Sequence, residues 1–497
     1  MDILIDDNII LICSFLSNRK KMNFLSTCHK LNNVKGKLFY HKAVKNDDIY
    51  QLWYYNQFIN IILCDLTPKP VEFSECMPNI SSNGVIFVLP FPRNIKYLTF
   101  NNNFNDKIGN YLPPTVTHLT FGEIFDKNIN EVNLSNITHL TFGNFFDKDI
   151  NKCDLSNITH LKFGHHFNQD INKYRFKNLT HLIFGGNFNR DITECDLSNI
   201  THLKFGYNFN QDISKYQFNN LTHLTFGCEF NQNISKCRFK NLIYLKFGKF
   251  FNRDISECDL SNVTHLRFGY NFNGSINECK LGSLTHLTFG HRFNRNIANC
   301  DLSNVTHLTF GHNFNRNIAK CKLGSLTHLT FGHSFNRNIR KCKLGSLTHL
   351  IFGYKYNRDI SEFDFSNVTY LKFGNNFNQD ISKCNFTNLT HLKFGNNFNQ
   401  DISSCKNLSN ITYLKFGNKF NQEIFQCALP NLTCLKFGNN FDKKITRNMF
   451  PNLSRLVLGK KFDHNINIVT KKLNYLKVSG SYAGTITIND GFKLEIS

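Results

Sequence analysis

The chain has 497 residues, 41% of them apolar, and carries 58 Lys and Arg against 36 Asp and Glu, a formal net charge of +22. That apolar content is enough for a packed core and excludes a disordered chain, while the charge points to acidic partners. No run of 18 or more apolar residues is present. The opening MDILIDDNIILICSFL has no basic residue before its apolar run and is interrupted by Asp6 and Asp7. Neither a membrane-spanning helix nor a secretory signal is expected, so the chain reads as cytoplasmic or nuclear, with no membrane partner.

Residues 1–45 read as a small helical head. Ile9, Ile10, Leu11, Cys13, Phe15 and Leu16 suit one buried helix, with Asp6 and Asp7 placed to cap it, and Asn23, Phe24, Leu25, Cys28 and Leu31 suit a second. The order and spacing from Leu4-Ile5-Asp6-Asp7 through Phe15-Leu16 to Phe24-Leu25 and Leu31 resemble an F-box of about 40 residues. Ile5 stands where that family has Pro, and Leu31 where it has Trp. The resemblance implies a docking surface for Skp1, the linker protein of cullin-based ubiquitin ligases, with Leu4, Ile9, Phe15 and Leu16 as its apolar contacts. The bland alternative is a helical cap shielding the first coil of a solenoid. Residues 46–92, with apolar Leu52–Tyr55 and Val85–Leu89 punctuated by Pro68, Pro70, Pro90 and Pro92, read as a packed adaptor segment.

From residue 93 to 478 one pattern recurs, Thr-His-Leu-x-Phe-Gly-x-x-Phe-Asn-x-x-Ile, then about five residues, then Leu-x-Asn-Leu/Ile/Val. Its Phe-Gly pair returns every 21 residues from Phe121 to Phe394, and one extra residue near Lys406 shifts the next pairs to Phe416 and Phe437. A fixed period repeated about nineteen times predicts a solenoid in which each unit buries its apolar positions on its neighbours. Leu119 and Phe121 alternate with His118 and Thr120, so each unit should hold one short parallel strand, followed by a glycine turn. Twenty-one residues leave no room for a long helix. Phe125, Ile129, Leu134 and Ile137 supply the remaining inward anchors. The Asn after the second Phe (Asn168, Asn189, Asn210) should form a ladder, less tight at the ends, where Asp126, Asp147, Asp442 and Asp463 replace it. The motif resembles FNIP repeats, a leucine-rich-repeat-like class found in amoebae and in giant viruses that infect them, where F-box heads joined to such arrays also occur. The expected fold is thus a mainly β, leucine-rich-repeat-like solenoid behind an α-helical head, with residues 479–497 as a C-terminal cap. One departure from the family stands out: its usual Pro before the Ile is Asp, Asn or Lys here.

Eleven cysteines, among them Cys153, Cys258, Cys300 and Cys384, share one repeat position with Val132, Tyr174, Tyr216 and Phe363, which marks an apolar packing site of reduced thiols. Histidines from His118 to His391 form one outward column in which Tyr244, Tyr370 and Tyr413 substitute, so no metal site is expected. No phosphate loop, nucleophile elbow or unique carboxylate pair is present, and His, Asp and Ser recur in every coil. Catalysis needs a unique constellation, so neither an enzyme nor a cofactor is expected. Between Thr285 and Arg358 there are eleven Lys or Arg and one acid, Asp301. The candidate target-binding face is therefore His286, His307 and His328 with Arg292, Arg295, Arg316, Arg337 and Arg340, suited to an acidic protein. Nucleic acid is not expected, because the Phe residues fall at core positions and leave no base-stacking platform. The function these features predict is a substrate-recruiting ligase adaptor, with Skp1 on the head and the target on the solenoid. The alternatives are a scaffold or decoy without a ubiquitin link and a polyanion-binding module.

Overall fold

The computed structural model describes residues 93–109, 112–172, 174, 176–216, 218–405, 407–424, 427–445, 450–467, 472–487 and 493–496, together with Cys13, Leu16, 18–25, Lys35, Tyr40, 44–45, Phe58 and 60–63. Leu4, Ile9 and Phe15 lie outside these residues. Two compact units result, residues 1–227 and 228–497.

In the first unit, helix α1 (Asn18–Leu25) precedes strands β1 (Val44–Lys45), β2 (Asn60–Leu63) and β3 (Tyr97–Phe100). The helix ends where the second head helix was expected to begin, with Phe24 and Leu25 in its last turn. Parallel pairing starts upstream of residue 93, since β1 pairs with β2 and β2 with β3. From β4 (His118–Thr120) to β9 (His223–Thr225) every strand is three residues long and pairs with the next at a shift of 21. The second unit repeats this from β10 (Tyr244–Lys246) to β20 (Arg455–Val457), with a single shift of 22 where His391 pairs with Tyr413. Residues beyond 478 add two more strands, Ile486–Thr487, parallel to Ile466–Asn467, and Lys493–Ile496, parallel to Tyr475–Val478.

The strands are short because only the central Leu faces inward. In His307–Thr309 the Leu is buried and its neighbours are half-buried. Behind each strand run two phenylalanine columns. Within one coil Phe310 and Phe314 stack at 3.7 Å, and from coil to coil each column continues at 5.6 and 6.1 Å. Burying one such ring is worth about 2–3 kcal/mol, so the rings hold coil to coil without a long helix. The Phe-Gly glycine is required by close approach. A Cβ at Gly332 would collide with the carbonyl of Gly311 in the preceding coil.

The extra residue near Lys406 is absorbed away from the strands. Asn407 takes a left-handed φ of 64°, which Asn tolerates, and Leu392 still pairs with Leu414. The Pro of related repeats is also accounted for. In most coils where it is Asp or Asn, the side-chain oxygen accepts the N–H two residues on, as Asp212 does from Ser214 at 2.8 Å. This Asx turn fixes the bend that Pro would have imposed.

The asparagine ladder exists, and its N-terminal end is not weaker as the lost amide donors led us to expect, whereas at the C-terminal end the Asp442 carboxylate meets His464 Nε2 at 3.1 Å in place of the Asp463 rung. Each Asn Oδ1 accepts the backbone N–H of the same position one coil later, as in Asn210 N to Asn189 Oδ1 at 2.9 Å. Asp147 N donates to Asp126 Oδ1 at 3.1 Å and Asn168 N to Asp147 Oδ1 at 2.9 Å. The rung needs only an acceptor, so Asp serves as well as Asn.

The cysteine column is packing. Every cysteine among the described residues is a free thiol. Burial pushes Cys258, Cys300 and Cys384 up to about 12, keeping them protonated. Where Tyr216 takes the position, its hydroxyl accepts from Ile192 N and donates to Asp191 Oδ1, both at 2.9 Å.

Candidate binding surfaces

Two surfaces repeat along the coils, and the candidate residues divide between them. His286, His307 and His328 stand on the strands, whereas Arg295, Arg316 and Arg337 stand after the second Phe and line a groove.

On the strand surface, twelve Thr-His pairs share one arrangement. The Thr hydroxyl lies 2.9–3.4 Å from a backbone carbonyl one coil back. It also lies 2.8–3.0 Å from Nδ1 of the following His. A hydroxyl has one hydrogen, and the carbonyl can only accept it. The histidine must therefore donate from Nδ1–H, which leaves Nε2 with a free lone pair. The rings stack at 4.0–4.3 Å within each unit. Burial and neighbouring imidazoles disfavour protonation, bringing His139 and His181 down to about 4 and lowering His286 and His328. The result is a neutral row of hydrogen-bond acceptors. Beside it runs a column that varies from coil to coil: Thr288, Thr309, Thr330, Ile351, Lys372, Lys393 and Lys415.

The groove belongs to the second unit and has a volume of about 990 Å³. Arg295, Arg316, Arg337 and Arg358 follow one another in four successive coils. Each Nε donates to the carbonyl of Asn273, Asn294, Asn315 or Asn336 one coil back, at 2.9–3.0 Å. This bond fixes the guanidinium plane and leaves both Nη groups free. No carboxylate lies within ion-pair distance of these four among the described residues. The other two arginines stand elsewhere. Arg340 pairs with Glu362 at 3.3 Å and Asp359 at 3.9 Å, and Arg292 is exposed beside the second Phe column.

A further column escaped the sequence reading. The residues just after the Phe-Gly glycine, Tyr270, His291, His312, His333 and Tyr354, stack at 4.3–4.8 Å. Their shared place in the repeat was visible, but His and Tyr at a solvent position gave no reason to expect stacking. Among the described residues no group of three or more His, Cys, Asp or Glu is arranged to hold a metal, and no helix is long and apolar enough to cross a membrane.

The FNIP Repeat family model matches residues 89–123, 198–229 and 420–461. The model described as a Mycoplasma protein of unknown function, DUF285, matches overlapping stretches from 241 to 437. The crystal structure of CroV588, described as a novel circular LRR protein structure, is 34% identical, with a TM-score of 0.73 over 87% of this chain and 73% of that one. The chain belongs to the leucine-rich-repeat family of CroV588. FNIP repeats are matched in three stretches of its coils, and the fold is a leucine-rich-repeat solenoid. The chain is also similar in fold, at 13% identity and a TM-score of 0.50, to the structure of a TLR13–ssRNA13 complex, over 77% of this chain and 71% of that one. No curated protein sequence matches it.

Proposed function

We propose that this FNIP-repeat protein is a non-enzymatic adaptor that holds a protein target on its strand surface and recruits a Skp1-type linker through its head. One observation supports target binding above the rest. The buried strand position is Leu in coil after coil, while the outward position beside the acceptor row changes among Thr, Ile, Lys and Arg. A rigid row of identical acceptors next to a varied column is a surface that discriminates partners without moving. The strand surface would take a partner rich in hydrogen-bond donors. Recruitment of the ligase rests on the F-box resemblance of residues 4–31 and would act in the cytoplasm or nucleus, the host cytoplasm for a viral protein. Of the four docking residues only Leu16 is described, half-buried at a bend, with its N–H donating to the carbonyl of Cys13 at 3.0 Å.

The test is capture of Skp1 by the purified full chain beside a Phe15→Ala/Leu16→Ala variant, with folding checked by circular dichroism. Binding by the wild type alone supports the adaptor. No binding by folded wild type removes the ubiquitin link and leaves a scaffold or decoy whose head is a cap.

A further inference from the structure

We propose that the arginine groove of the second unit binds a linear oxyanion polymer of the inorganic polyphosphate class, independently of the head and of the strand surface.

Most acceptor atoms of the groove are already used within the fold. Asn273, Asn294, Asn315 and Asn336 accept twice each. Their Oδ1 atoms take the backbone N–H of the next coil at 2.9–3.0 Å, and their carbonyls take the arginine Nε. Asn296, Asn317 and Asn338 accept the N–H of Ala298, Ala319 and Arg340 at 2.8–2.9 Å. In the coils of Arg295, Arg316 and Arg337 what remains are donors, the amide Nδ2 groups and the guanidinium Nη groups; the carboxylate that also lines the groove, Asp254, belongs to an earlier coil and accepts Ser275 N at 2.7 Å. Each coil of the stretch therefore offers eight N–H bonds, two from each of two asparagines and four from one arginine, in a rise of about 4.8 Å.

The charge is placed as selectively as the donors. In eight coils the residue before the Ile is Asp, and at Asp170, Asp212 and Asp380 it makes the Asx turn as a carboxylate. In the three coils of Arg295, Arg316 and Arg337 it is Asn, which keeps the turn and removes the negative charge. Arginine and neutral asparagine thus coincide in three successive coils, whereas Arg190, Arg253 and Arg358 are each followed by Asp.

The ligand must supply many acceptors, negative charge and few donors. An extended acidic peptide presents a carboxylate to one face only every two residues, about 6.6 Å, which is too sparse for the donors available. Nucleic acid would bring bases that need stacking partners, and no aromatic side chain lines the groove. A polyphosphate carries anionic oxygens on every link and no donor of its own, and guanidinium forks match its geometry.

The test is isothermal titration of the full chain with inorganic polyphosphate at physiological salt. Wild type should bind. The Arg316→Gln/Arg337→Gln variant should bind more weakly, on the order of tenfold for each guanidinium removed. The Asn296→Asp/Asn317→Asp/Asn338→Asp variant should lose binding while melting as wild type does, because Asp makes the same turn in neighbouring coils. An exposed-lysine control, Lys460→Gln/Lys461→Gln, should bind as wild type. No binding by wild type, equal loss in the control, an aspartate variant that is folded and still binds, or tighter binding of single-stranded RNA or polyglutamate would each overturn the proposal.

Discussion

Two neighbouring stretches of the second unit use one backbone to opposite electrical ends. From Arg295 to Asp359 the groove positions read Arg-Asn, Arg-Asn, Arg-Asn and Arg-Asp, four positive charges and one negative. From Gln379 to Glu423 the same positions read Gln-Asp, Gln-Asp and Gln-Glu, with three negative charges. The structural task is almost unchanged. Gln400 and Gln422 reach the carbonyl one coil back at 3.1 Å, as the arginines do at 2.9–3.0 Å, and Asp380 and Asp401 make the turn that Asn296 and Asn317 make. In this fold the long donor and the short acceptor are needed for shape, while their charge is free to be assigned for binding.

If the scaffold is common to both stretches, core substitutions should cost the same in each. The largest effect belongs to the glycines. At Gly332 and Gly395 an added Cβ meets the backbone of the preceding coil, the carbonyls of Gly311 and Gly374, so either Gly→Ala change should cost at least ~4 kcal/mol in chemical denaturation. Next come the rings: Phe314→Ala and Phe398→Ala, both fully buried, should each cost about 3–5 kcal/mol. A marked difference between the two members of either pair would break the comparison.

Acid should separate the stretches. The Arg stretch lies beside four stacked histidines, His286 to His349, whereas the Gln stretch has Tyr370, His391 and Tyr413. A histidine whose folded pKa is lowered takes up its proton first in the unfolded chain. Its neutral stacking is therefore fully favourable above the ordinary value near 6.5, and stability is lost as pH falls below it. In the first unit that loss should continue to about pH 4, the value for His139 and His181. Melting followed from pH 7.5 to pH 5 should show a falling midpoint, and His286→Tyr/His328→Tyr should flatten the fall. The smallest effect is chemical. Cys300 and Cys384, both pushed up to about 12, should resist iodoacetamide equally in the native protein at pH 8 and react only after unfolding.

The solenoid was legible because its signal is repeated: alternation at His-Leu-Thr, the Phe-Gly turn and the 21-residue step all point one way. What the sequence hid was which atom of each polar side chain is used. Asn168 suggests an amide ladder, yet only its acceptor matters, so Asp147 fits beside it. His286 looks like a proton switch, but the Thr hydroxyl before it fixes its tautomer. Arg295 and His286 looked like parts of one face because coils stack, while their places nine residues apart in the repeat put them on different surfaces. The contrast between Arg-Asn and Gln-Asp was visible throughout, but nothing in the sequence alone says that those two positions share a groove.

The most direct measurement transplants the charge pattern. In the full chain, Gln379→Arg/Asp380→Asn/Gln400→Arg/Asp401→Asn would extend the row of groove arginines by two coils while keeping an Asx turn in each. Titrated with inorganic polyphosphate beside wild type, this variant should bind tighter by on the order of tenfold or more. An affinity equal to wild type in a folded variant would contradict the account.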